Sequence, residues 1–115
     1  MSDTIFDKIV RREIPADVVY EDDDILAFRD LHPQAPVHVL FVPKHASLPT
    51  LNDCDAADAP LLGKLLLAAS AYAKREGFAD EGYRCVINCN SGGGQTVFYL
   101  HVHLLARRKM PERMT

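Results

Sequence analysis

Apolar residues alternate with polar or aromatic ones along Tyr99-Leu100-His101-Val102-His103-Leu104. Successive side chains of a strand point to opposite faces, so the pattern predicts a strand over Thr96–Ala106. Tyr99, His101 and His103 then share one face, and Phe98, Leu100, Val102 and Leu104 share the other. Val18–Tyr20, Ile25–Arg29 and Val37–Val42 are further apolar runs, separated by the Glu-Asp-Asp-Asp stretch and by Leu31-His32-Pro33-Gln34-Ala35-Pro36, and they read as strands of a meander. Tyr83–Cys89 reads as a fifth strand. From about Asp55 to Glu76 the period becomes helical, with Leu61, Leu62, Leu65, Leu66, Ala69, Tyr72 and Ala73 on one face and Gly77 placed to end the helix. Near the N-terminus Asp3 is placed to cap a short helix of about 9 residues whose stripe is Ile5, Phe6, Ile9 and Val10, with Pro15 beyond it. An antiparallel sheet of about five strands with one long and one short helix belongs to the α+β class.

Composition narrows the function classes. A chain of 115 residues, 48% hydrophobic and 25% charged, is expected to form one domain over residues 1–115 with a substantial core. The net charge of -3 argues against a nucleic-acid binder, and Arg107, Arg108 and Lys109 read as a solvated strand end. No apolar run approaches the ~20 residues of a membrane span, and the N-terminal stretch lacks a signal-peptide h-region, so neither a membrane partner nor secretion is expected and the location expected is cytoplasmic. Cys54, Cys85 and Cys89 are odd in number and lack CxxC spacing, which implies neither a disulfide framework nor a cysteine zinc site.

The histidine pair is the candidate chemistry. Two side chains two residues apart on a strand lie roughly 6.5 to 7 Å apart, close enough for a phosphate-sized group to touch both imidazoles. The pair can equally be two surface histidines, or two ligands of a zinc ion that would need a further donor. His38 and His45 are available for that role, but their spacing predicts no convergence. A third reading is nucleophilic catalysis by one neutral imidazole with the other as hydrogen-bond donor or acid. Just upstream, Asn88-Cys89-Asn90-Ser91-Gly92-Gly93-Gly94-Gln95-Thr96 links two strands, and its glycines allow backbone N–H groups to approach an anion. It is not a Walker loop, because no Gly-Lys-Ser/Thr follows and a strand comes next. Glycines alone would suit a plain turn. Joined to the histidine face, with the Gln95 and Thr96 side chains beside it, the loop suits a phosphate ester.

Taken together, IFDKIVRREIPA, DDDILAFRDLHPQAPVHVLFVPK, GYRCVINCNSGGGQ and TVFYLHVHLLARR resemble the histidine triad (HIT) superfamily, in particular its Hint-like nucleotide-binding branch. The resemblance implies a HIT-like fold whose sheet continues across a homodimer, and hydrolysis of purine nucleotide phosphoramidates without a required metal or other cofactor. The motif His-φ-His-φ-His-φ-φ falls on Tyr99 to Leu105, so Tyr99 replaces the first histidine. By resemblance His101 is the nucleophile that becomes a nucleotidyl-histidine, His103 contacts phosphate oxygen, and Asn88, Gly94, Gln95 and Thr96 bind the phosphate and leaving-group side. Asp30 accepts hydrogen bonds from the ribose diol, and Phe6, Ile9, Ile14, Phe28 and Leu31 wall the purine pocket, although those apolar residues equally suit ordinary core. Tyr99 keeps the backbone carbonyl that orients the nucleophile in the family while removing an imidazole. Ala106-Arg107 stands where Gly-Gly is usual, which predicts an altered backbone and added charge near the site. A nucleotide-binding module with weak catalysis and a dinucleoside polyphosphate hydrolase are the alternatives to phosphoramidate hydrolysis.

Overall fold

In the computed structural model, which describes residues 3–113, five strands form one antiparallel sheet in the order β1-β2-β3-β5-β4. The strands are β1 (Val18–Glu21), β2 (Ile25–Arg29), β3 (Val37–Pro43), β4 (Tyr83–Val86) and β5 (Val102–Ala106), and the helices are α1 (Ile5–Val10) and α2 (Ala59–Glu76). Strand alternation gives the sheet two buried faces. On one, Ile25, Ala27, Val39, Phe41, Val102 and Leu104 pack against Leu65, Ala69, Tyr72 and Ala73 of α2. On the other, Leu26, Phe28, Leu40 and Val42 pack with Tyr99 against Phe6 and Ile9 of α1. Central strand β3 is buried on both sides, which is why its sequence reads as an unbroken apolar run after His38.

Several boundaries differ from the sequence reading, each for a local reason. Thr4, not Asp3, caps α1, because Thr4 and Asp7 satisfy each other's backbone N–H groups in a capping box. Asp3 instead pairs with Arg11, and the helix is 6 residues long. Asp55 caps a 3-10 turn at Ala56–Asp58, and α2 starts only at Ala59, with a proline in its first turn. Its buried stripe takes in Ala68, while Leu66 is exposed along with Leu67. Gly77 ends α2 in the left-handed conformation, as its position predicts.

The largest departure lies before β5. Thr96 to His101 is not strand, and Cys89 lies beyond the end of β4. This lead-in is held by isolated bonds instead of a ladder, such as Leu100 N–H to the Leu48 carbonyl at 2.8 Å. Phe98, which strand alternation puts on one face with Leu100, Val102 and Leu104, is therefore exposed, whereas those three are buried.

Arg107 keeps the backbone conformation that glycine adopts most readily, at φ 66. Its guanidinium does not add charge near the histidines. It bonds Glu81 at 3.1 Å and the Glu76 carbonyl at the end of α2 at 3.2 Å, and lies 5.4 Å from the Phe78 ring centre. Arg107→Ala should lose these contacts and keep the left-handed strain, whereas Arg107→Gly should lose the contacts and relieve the strain. The glycine variant is thus expected to be more stable than the alanine variant by about 1 kcal/mol in urea denaturation, and the reverse order would show that the backbone here is unstrained.

Candidate active site

β5 and its lead-in place the two histidines, and β3 supplies a third. Leu40 of β3 stands opposite His103 of β5, and His38 stands opposite Leu105. His38 and His103 are thus diagonal neighbours on one face, within reach of each other's rings. Their Nε2 and Nδ1 atoms are 2.9 Å apart. His38 Nδ1 accepts the Gln34 N–H at 3.0 Å, so the proton of neutral His38 sits on Nε2 and is donated to His103 Nδ1. His103 in turn carries its own proton on Nε2, as a donor. The chain of bonds selects each tautomer from a backbone amide outward.

His101 is arranged the opposite way. Its Nδ1–H donates to the Tyr99 carbonyl at 2.6 Å, which leaves the Nε2 lone pair unprotonated. The Phe6 ring meets the imidazole edge-on at 5.0 Å, and the His101 and His103 ring centres are 4.8 Å apart, nearer than the strand spacing alone predicts. Tyr99, in the place of the first motif histidine, turns its phenol inward, and its hydroxyl donates to the Pro43 carbonyl at the end of β3.

Burial keeps these imidazoles neutral. It pushes His101 below the ordinary histidine range, with the hydrogen bond to the Tyr99 carbonyl acting the other way. Burial and the neighbouring His101 and His38 push His103 down to about 4, and burial also lowers His38. Burial raises the Tyr99 phenol to about 12, so it is a neutral donor throughout the physiological range.

Asp30 joins the cluster. Its Oδ1 accepts the His32 N–H at 2.8 Å, and its Oδ2 is 3.6 Å from His38 Nε2. Asp30, His38 and His103 hold one donor atom each within 4.8 Å of one another, the group among the described residues that could receive a metal ion. The chemistry of this donor set suits zinc, but the His38–His103 hydrogen bond already joins two of the three donors. His45 is elsewhere, bonded to the Asp23 carbonyl.

Phe6, Ile9 and Phe28 form one buried cluster with Ile14 packed on it, and Leu31 stands out with 76% of its surface exposed. Asn88, Gly94 and Thr96 lie on the loop that enters the histidine segment, Gly94 at φ 84 and Thr96 exposed. Gln95 is buried, with both ends of its amide bonded to backbone. A 520 Å³ cavity meets the motif only at Tyr99 and is lined there by Asp7, Arg11, Leu48, Pro49 and Phe98. Sequence spacing predicts no convergence for His38, yet it meets His103, since its partner is chosen by the register of two strands far apart in the chain.

Three histidines gathered on one side of the sheet, His38 on β3, His103 on β5 and His101 in the lead-in that follows the glycine turn, define the HIT class of fold and site. The HIT domain family matches residues 11–110, and the chain belongs to it. It is 48% identical over 108 residues to the purine nucleoside phosphoramidase of Escherichia coli (strain K12), covering 94% of this chain and 90% of that protein. It is 50% identical over 110 residues to adenylylsulfatase HINT1 of Arabidopsis thaliana, covering 95% and 74%. A HIT family hydrolase from Legionella pneumophila Philadelphia 1 superposes with a TM-score of 0.90 at 50% identity, covering 94% of this chain and 96% of that one.

Two expectations follow from the geometry. An unfolded imidazole protonates near 6.5, whereas His103 stays neutral down to about 4. Between those values the unfolded chain binds more protons, so folding stability should be full above about pH 6.5 and fall as the solution is acidified. NMR titration should find the His103 midpoint far below that of a model imidazole, and an ordinary midpoint would refute the burial argument. Tyr99→Phe strips a buried Pro43 carbonyl of its donor and should cost about 1 to 3 kcal/mol in urea denaturation, while the carbonyl holding His101 stays in place and turnover changes less than about tenfold.

Proposed function

We propose that this HIT-family nucleotide hydrolase cleaves purine nucleoside 5′-phosphoramidates through a nucleotidyl-histidine at His101. The observation that carries the reading is the tautomer of His101: a buried imidazole whose Nδ1–H is held by a carbonyl offers an Nε2 lone pair, as a nucleophile must. That lone pair attacks the α-phosphorus, the phosphorus–nitrogen bond breaks, and the amine departs with a proton drawn from solvent, which the water of the second step returns. Water then attacks the same phosphorus, cleaves the phosphorus–His101 bond and releases the nucleoside monophosphate. His103, proton on Nε2, donates to a phosphate oxygen, with Thr96, Asn88 and the Gly94 turn on the phosphate and leaving-group side. Asp30 receives the ribose hydroxyls, and Phe6, Ile9, Ile14, Phe28 and Leu31 face the purine. The phosphoramidase and adenylylsulfatase relatives support a nucleotide substrate with its scissile bond at phosphorus. The open outer edge of β4 and the exposed Leu66 and Leu67 of α2 support a homodimer.

The test is hydrolysis of a fluorogenic adenosine phosphoramidate. His101→Ala should lower kcat by about three or more orders of magnitude while AMP still binds. Mass spectrometry after a quench that avoids acid should locate the nucleotidyl group on His101, and EDTA should leave the rate unchanged. An active His101→Ala enzyme would end the mechanism. An inactive wild type that binds AMP would favour a binding module instead.

A further inference from the structure

Gln95 stands in the loop that the proposed function reads as the phosphate cradle, and the present inference rests on that reading. Its side chain is buried and fully committed. Both Nε2 hydrogens are donated, one to the Pro49 carbonyl at 2.8 Å and one to the Val97 carbonyl at 3.0 Å, and Oε1 accepts the Asn90 N–H at 2.8 Å. Phosphate oxygens need donors, and a primary amide has only two N–H hydrogens. Gln95 has none left for a phosphate.

The backbone repeats the grip. The Asn90 carbonyl accepts the N–H groups of Gly93 at 3.1 Å and Gln95 at 3.0 Å, so Asn90 is held on both sides by Gln95, at φ 61. Pro49 follows Leu48, whose carbonyl accepts the Leu100 N–H. The amide thus joins three segments: the glycine turn, the Leu48-Pro49 segment and the lead-in to His101.

We propose that Gln95 is a positioning residue, a clasp that holds the glycine turn and Thr96 in place relative to His101 without touching the phosphate. The resemblance of the motif puts Gln95 beside the phosphate; the bonding of its amide gives it a different task there. Gln95→Glu keeps the acceptor for Asn90 but replaces both donor hydrogens with lone pairs facing two carbonyl oxygens, so the clasp should open.

The experiment compares the free wild-type protein with the same protein saturated with AMP by NMR, reading the Gln95 side-chain NH₂ and its through-hydrogen-bond couplings to the Pro49 and Val97 carbonyls. The expected result is that these couplings persist in both states while the Thr96 amide and the His103 ring shift. Loss of the couplings on AMP binding, with Thr96 and His103 also shifting, would overturn the clasp and leave the nucleotide reading standing. If AMP moves none of these resonances, both fall together. In parallel, Gln95→Glu should lower kcat/KM by about 50-fold or more, mostly in kcat, and change the affinity for adenosine, which lacks the phosphate, less than about twofold. A kcat/KM within about threefold of wild type would overturn the proposal, and the wild-type spectra decide it should the variant not fold.

Discussion

The pairing of β3 with β5 is the constraint on which the site depends. With Leu40 opposite His103 and Val39 opposite Leu104, each apolar partner enters a buried face, while His38 and His103 are brought into diagonal contact. A slip of one residue would turn every side chain of β5 to the wrong face, driving His103 into the cluster under α2 and Leu104 out of it. The hydrophobic pattern that stabilises the sheet therefore also sets the geometry of the imidazoles. Core and site cannot be varied independently here, because the same alternation serves both.

Beyond the ladder, geometry is set by single bonds to backbone. Residues 96–101 lie outside β5, yet they carry the candidate nucleophile and the exposed Thr96. Their course is held by the Leu48 and Pro49 carbonyls, by the Gln95 amide and by the Tyr99 hydroxyl on Pro43. A regular strand would have committed its N–H groups to a neighbour. An irregular one held at a few points allows a tight turn beside a precise ring position, and so suits a place where a substrate must enter.

The alternation from Tyr99 to Leu104, the stop at Gly77 and the placing of the histidines beside the glycine turn were all legible in the sequence, because each rests on local period or on one residue's backbone preference. The His38–His103 bond was not, since strand register joins positions 65 residues apart and leaves no periodic trace. Nor was the role of the Gln95 amide, which bonds a carbonyl 46 residues away. Leu66 and Ala68 exchanged places because a helical stripe read from sequence has an uncertain phase by about one residue, and small Ala68 can lie closer to the sheet. Arg107 was misread through the usual Gly-Gly of relatives: its backbone adopts the glycine conformation, and its long side chain carries the charge away to α2.

Electrostatics and packing meet at Tyr99. A second titratable imidazole behind His101 would place another ring able to gain charge in a pocket that already lowers the proton affinity of three. A phenol raised to about 12 stays neutral over the working pH range and still donates one hydrogen bond, to a buried carbonyl that would otherwise be unsatisfied. The part of residue 99 that His101 depends on is its backbone carbonyl, which every residue type supplies. Replacement of the first motif histidine by tyrosine thus preserves the orientation of His101 while removing one titration from its surroundings, and the neutral state of the imidazole pair rests on burial by Phe6, Phe28 and the sheet itself.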